Sequence, residues 1–159
     1  MAQLLDFLYY KLREKEIERA RIQLKIIKID TILKYLTKIC WKSNIDYKII
    51  IKTSDMLIIR FTGIKETVLF KYHKAEMVLK EEMNFFVSKL DENKAHKGVY
   101  ITTGKFEQTI SYSRQNLFIK RNIMFKDGYS IIKEHMCILG ENSDIIEVNK
   151  FNFIKYLPQ

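Results

Sequence analysis

Between residues 47 and 72 the chain carries three short apolar runs in quick succession: YKIIIK (Tyr47–Lys52), MLIIRF (Met56–Phe61) and ETVLFKY (Glu66–Tyr72). They are rich in β-branched and aromatic residues, which fit a pleated surface better than a helix. Thr53-Ser54-Asp55 and Thr62-Gly63 separate them, and connections that short make hairpins of antiparallel neighbours. Any fold for this chain must therefore hold a three-stranded meander and cover it with whatever lies upstream and downstream.

Upstream, from Leu4 to Trp41, apolar residues recur at helical spacing (Leu4, Leu5, Leu8, Ile17, Leu24, Ile27, Ile32, Leu33, Leu36, Ile39) with no proline among them. The spacing predicts one long helix or two, breaking near Lys25–Asp30 where Ile26-Ile27-Lys28-Ile29 blurs the period. The charges of REKEIERAR alternate in sign, as on a solvated helix face. Lys34, Lys38 and Lys42 lie four apart and form a basic stripe, which serves a solvated face as well as a phosphate track.

Downstream, the pattern predicts a helix over Ala75–Leu90, a buried strand at GVYIT (Gly98–Thr102), a short helix over Phe106–Asn116 and a strand over Phe118–Phe125. A helix over Tyr129–His135 and an added strand over Ile145–Leu157 complete the order. Strand–helix–strand units in this half imply parallel crossovers. The fold class is α/β in the α+β sense: a mixed sheet flanked by helices, with a long N-terminal helical segment. A single domain is expected, with residues 1–42 helical, 43–136 the core and 137–159 an extension.

Composition narrows the function classes. With 159 residues, 47% of them hydrophobic, and only 5 Gly and 1 Pro, the chain can bury a real core and has little room for disorder. Cys40 and Cys137 stand far apart in apolar stretches and are expected as buried free thiols; with three scattered His they make no zinc set. No apolar run is long enough to span a membrane, and MAQLLDFLYYK fits neither a secretory signal nor a transit peptide. A cytoplasmic protein is expected, or a nuclear one in a eukaryote, and not a secreted one. The net charge of +9 suits a polyanionic partner and a plain compositional excess of Lys equally well, and Lys reads phosphate less specifically than Arg.

Two stretches carry more. HKGVYITTGKF (residues 96–106) and IMFKDGYSIIKEH (residues 123–135) resemble the C-terminal half of the Mrr-like restriction endonuclease domain, a branch of the PD-(D/E)xK nuclease fold. The resemblance spans about residues 30–136 and implies a restriction-endonuclease-like core. It places a metal-binding Asp at the head of the second strand, where Asp55 begins DMLII. It places a catalytic Lys on the third strand, where Lys71 ends VLFK. The metal would be Mg²⁺, held by oxygen ligands on adjacent strands. Two residues before the Lys, where the family carries an acid or Gln, this chain has Leu69, which cannot ligate a metal.

Alternation puts Leu69 and Lys71 on one face of the strand and Glu66 on the other. A replacement carboxylate would have to come from the following helix: Glu76, Glu81 or Glu82, with Glu76 nearest the strand end. The same residues also have plainer roles. Asp55 suits a turn; Lys71 suits a solvated strand exit; His73 and His96 suit loops; His135 suits a helix end; Thr102-Thr103-Gly104 suits a tight turn or a phosphate-binding helix start. The expectation is a non-catalytic member of this fold that binds nucleic acid, DNA first, and docks onto a protein or a second copy through its N-terminal helices. The alternative is an Mg²⁺-dependent endonuclease using Asp55 and Lys71. Lys34, Lys38, Lys42, Lys74 and Lys105 are the candidate nucleic-acid contacts.

Overall fold

A computed structural model of the chain describes residues 2–107, 122–139 and 151–159. The meander is present as β1 (Asp46–Lys52), β2 (Met56–Thr62) and β3 (Thr67–His73), each antiparallel to the next. A two-residue strand, β4 (Met77–Val78), precedes helix α4 (Lys80–Glu92) and strand β5 (Lys97–Thr102). After β6 (Lys105–Phe106) come β7 (Ile123–Lys126) and helix α5 (Gly128–Leu139). The main sheet has the order β1-β2-β3-β5-β7, with β5 parallel to both β3 and β7. β4 and β6 form a separate parallel pair.

The N-terminal segment is three helices: α1 (Ala2–Leu12), α2 (Glu14–Ile26) and α3 (Ile29–Ser43). The expected break falls at Lys28, whose backbone is extended (φ −72°, ψ 144°). A second break at Arg13 (φ −102°, ψ 14°) was not readable from the period. α3 ends at Asn44, in the left-handed region (φ 53°) that Asn tolerates, with its N–H donated to Cys40 O. Cys40 is buried, as expected; the side chain of Cys137 lies outside the described residues.

Alternation divides the core in two. Leu57, Ile59, Phe61, Val68, Phe70, Tyr72, Val99 and Ile101 pack with Leu24, Ile29, Ile32 and Leu36 of α2 and α3, with Ile131 and Ile132 of α5, and with Phe151, Phe153 and Tyr156. From the other face, Ile58, Leu69 and Tyr100 pack with Val78, Met83, Phe86 and Leu90 on the α4 side. The mixed sheet between helices is the expected architecture. α1 contributes little to either cluster, and Leu4, Leu5, Phe7, Leu8 and Leu12 are exposed.

Several expectations change. The helix expected from Ala75 starts at Lys80, because Met77 and Val78 pair with β6 instead. Phe106 belongs to β6 and not to a helix, and residues 108–116 lie outside the described ones. The strand expected at Phe118–Phe125 is β7 from Ile123, with 118–121 outside the described residues.

The tail expected as a strand ends in a 3₁₀ turn, Phe153–Tyr156, and residues 145–150 lie outside the described ones. Aromatic burial wins over alternation there: Phe151, Phe153, Tyr156 and Leu157 are all buried, and Tyr35 Oη donates to Phe151 O at 3.1 Å. His135 is not a helix-end cap. It sits within α5, where Nε2 accepts the Asn152 N–H (3.1 Å) and Nδ1 therefore donates to Ile131 O (2.7 Å).

Candidate functional site

The third strand delivers a lysine into the interior. Leu69 and Lys71 share the face of β3 that meets Tyr100 of β5 and the apolar side of α4. Lys71 is 1% exposed. Its Nζ lies 4.6 Å from the Tyr100 ring centroid and 5.8 Å from that of Phe85, so the ammonium rests on aromatic faces. Among the described residues no carboxylate or hydrogen-bond acceptor reaches it. Burial pushes its pKa down to about 8, against the weaker opposing pull of Glu82. The solvated strand exit expected for Lys71 is therefore corrected.

His73 follows on the same face and is also buried, not a loop histidine. Its Nδ1 is 2.8 Å from Tyr100 Oη, while Nε2 stands 3.6 Å from Glu82 Oε1, beyond hydrogen-bond length. Burial and then the charge of Lys71 lower the His73 pKa, with Glu82 and Asp55 acting in the opposite direction. The other oxygen of Glu82 accepts the Leu79 N–H at 2.8 Å and caps α4. Lys71, His73 and Tyr100 thus form one buried polar cluster under α4, with the partly exposed Glu82 at its rim.

Asp55 is exposed at the head of β2. Its N–H donates to Thr53 Oγ1 at 3.2 Å, which is turn chemistry, and its carbonyl accepts from Lys74 N at 2.7 Å, one step beyond the β2–β3 pairing. Glu76, the carboxylate favoured from position, is exposed and paired with Lys25 of α2. Glu82 is the helix carboxylate beside Lys71, because α4 begins four residues after Glu76. Leu69 is fully buried, with Ile58, Val78 and Phe86 in its cluster. No group of three or more His, Cys, Asp or Glu among the described residues could hold a metal. These residues do not fit the Mg²⁺ site that the resemblance implies.

The two stretches that carry the resemblance meet each other. Gly128 N donates to Gly104 O at 3.0 Å, and Asp127 Oδ1 accepts the Ser130 N–H at 2.7 Å to cap α5. A Cβ at Gly104 would lie 2.0 Å from Ala75 O, and one at Gly128 would lie 2.2 Å from Thr103 O. Both glycines are therefore required by close backbone approach. Thr102 and Thr103 are buried, so this stretch serves packing and the turn. His96 is a loop residue, and its Nδ1 accepts the Thr67 N–H at 2.9 Å.

The candidate nucleic-acid lysines separate into groups. Lys34, Lys38 and Lys42 project from α3, all exposed, and none of their side chains is in an ion pair or hydrogen bond among the described residues. Lys74 lines an open groove of about 550 Å³ together with Lys28, Lys52, Thr53 and the acids Asp30 and Asp55. There Lys52 is paired with Asp30. Lys105 lies over the Tyr129 ring, 5.3 Å from its centroid.

Elsewhere some charges are compensated in place: Arg13 with Glu16, Arg21 with Glu18, Lys89 with Glu92, and both Lys126 and Lys155 with Glu134. Sequence reasoning missed Trp41, which marked only the end of the helical segment and is 84% exposed on the same outward side of α3. The available signal was its angular position beside Lys34 and Lys38.

Fold and site together define a mixed α/β chain with a five-stranded sheet, a lysine sealed in its interior and an uncompensated basic helix face. No helix among the described residues is long and apolar enough to cross a membrane. The chain matches no protein-family model, and no curated protein sequence matches it.

Proposed function

We propose that this chain is a non-catalytic protein of restriction-endonuclease-like architecture that binds nucleic acid through the outward face of α3. The observation that carries this is the stripe of Lys34, Lys38 and Lys42, three exposed lysines on one helix face with no ion-pair partner among the described residues. Three uncompensated ammonium groups on one helix face repel one another, and a phosphate backbone relieves that repulsion while releasing counterions. Leu69 in the apolar core and Lys71 under Tyr100 and Phe85 support the non-catalytic half of the reading, since neither side chain faces a solvent-borne phosphate. The apolar side chains that α1 leaves exposed support a docking role for that helix, with a second copy of the chain as the occupant.

One observation favours the alternative, an Mg²⁺-dependent nuclease: Glu82 lies beside Lys71 and His73, and the charge of Asp55 also reaches His73. A single set of measurements separates the readings. Labelled DNA is titrated with the protein over a salt series, the products are run on a gel after incubation with Mg²⁺ or Mn²⁺, and the free protein is sedimented over a concentration series. Salt-dependent binding without cleavage is the expected result. Metal-dependent cleavage lost in both Asp55→Ala and Lys71→Ala would replace the reading with the nuclease. Absence of binding at low salt would remove nucleic acid as the partner, and a protein monomeric at every concentration would remove self-docking.

A further inference from the structure

The chain has a single tryptophan, and the fold places it at the surface instead of in the core. Trp41 is 84% exposed, whereas the neighbouring Cys40 and Leu36 of the same helix are buried. Among the described residues nothing in the packing uses the indole, and leaving so large an apolar ring in water is costly.

Its surroundings explain what it fits. At 3.6 residues per turn, Lys34, Lys38, Trp41 and Lys42 fall within an arc of about 100° on α3, along a track of about 12 Å. Beside the ring lies an open depression of about 470 Å³ lined by Cys40, Trp41, Asn44, Ile45, Asp46 and Tyr47. Tyr47 is the second aromatic there, 41% exposed on the edge strand β1. The one acid of that depression, Asp46, disfavours phosphate within it and leaves the place to an uncharged group.

From this juxtaposition we infer that the α3 face binds single-stranded nucleic acid, with the backbone phosphates along Lys34, Lys38 and Lys42 and an unpaired base stacked on Trp41. The inference deepens the nucleic-acid reading above and rests on it. A duplex satisfies the lysines equally well but keeps its base faces stacked on one another, so the indole gains nothing from it. A single strand offers a free π-face beside each phosphate, and aromatic stacking of that kind tolerates any base.

Because Trp41 is the only tryptophan, its fluorescence reports the contact directly. The full chain is titrated with single-stranded DNA, single-stranded RNA and duplex DNA of about 16 nucleotides, following indole emission together with the anisotropy of a labelled strand. At least one single strand is expected to quench the emission and to bind more tightly than the duplex. Trp41→Ala is expected to weaken that binding about tenfold or more, while Trp41→Phe retains most of it. The comparison of the DNA and RNA arms states which sugar is preferred.

A duplex that binds as well and quenches as strongly overturns the inference, as does a folded Trp41→Ala protein that binds single strands like the wild type. In either case salt-dependent binding lost with the lysines leaves the broader nucleic-acid reading standing. Absence of binding in all three arms at low salt removes both.

Discussion

Lys71 and Lys38 are the same side chain in two solvents. Lys38 projects from α3 into water with no ion-pair partner among the described residues, so its charge is free for an external anion. Lys71 is held against Tyr100 and Phe85 at 1% exposure, where its charge is expensive and its pKa falls to about 8. Between them stand the paired lysines, such as Lys126 and Lys155, which share the one negative charge of Glu134. The net charge of +9 therefore misstates what the protein offers a partner. What counts is the subset of lysines that the fold leaves both exposed and uncompensated.

The largest effect is expected at the buried end of this contrast. Lys71 has a folded pKa of about 8, below its ordinary 10.5, so between those values the unfolded chain binds more protons than the folded one. Stability accordingly rises as pH increases through that window, and the whole penalty is present below pH 8. Lys71→Met removes the penalty while keeping an unbranched apolar stem, and should stabilise the protein at pH 7 by up to about 3 kcal/mol. Urea unfolding at pH 7 and at pH 9.5 checks this: the gap between wild type and variant should narrow at the higher pH. An equally large gap at both would show that the ammonium is not what Tyr100 and Phe85 burden.

At the exposed end, replacing Lys34, Lys38 and Lys42 together by Ala should leave stability within about 0.5 kcal/mol, because surface changes away from packing cost little. The same variant should lower single-strand affinity on the order of 100-fold at low salt and flatten the slope of log K against log salt by about 2. Unchanged binding would place the anion contact elsewhere, with the Lys28, Lys52 and Lys74 groove the next surface to test.

The paired lysines give the smallest effect. Burial raises the Glu134 pKa, but hydrogen bonds from Lys126 and Lys155 outweigh it and hold the carboxylate at about 2. Its folded value lies below its ordinary 4.5, so its contribution is present above pH 4.5 and is lost as pH falls toward 2. Glu134→Gln should cost on the order of 2 kcal/mol at pH 7 and little at pH 2.5, and thermal unfolding at the two pH values reads the difference.

Much of the fold was legible because it rests on local patterns. The three strands of the meander, the break near Lys28 and the buried strand ending in Thr102 all follow from β-branched runs, turn residues and helical period. The errors lie where distant partners decided the outcome. Met77 and Val78 left the expected helix to pair with Lys105 and Phe106. The tail gave up its alternation to bury Phe151, Phe153 and Tyr156. The candidate site was legible in part. Alternation correctly set Leu69 and Lys71 on one face, but Glu76 turned to Lys25, and Glu82 reached the cluster from within the first turn of α4.

By itself, then, the sequence determined the meander, the helical segments and the two glycine-bearing stretches at residues 104 and 128, because period and steric demand act within a few residues of chain. Tertiary structure alone decided which charges are free. Helical spacing encodes pairs such as Lys89 with Glu92, but the partners Asp30 for Lys52 and Glu76 for Lys25 come from other elements, and no spacing along the chain encodes them. It also decided that Trp41 faces water while Lys71 faces Tyr100, which is the reverse of what side-chain polarity alone dictates. A helix has one buried arc and a strand one buried face, and the register that meets the core is set by the whole fold.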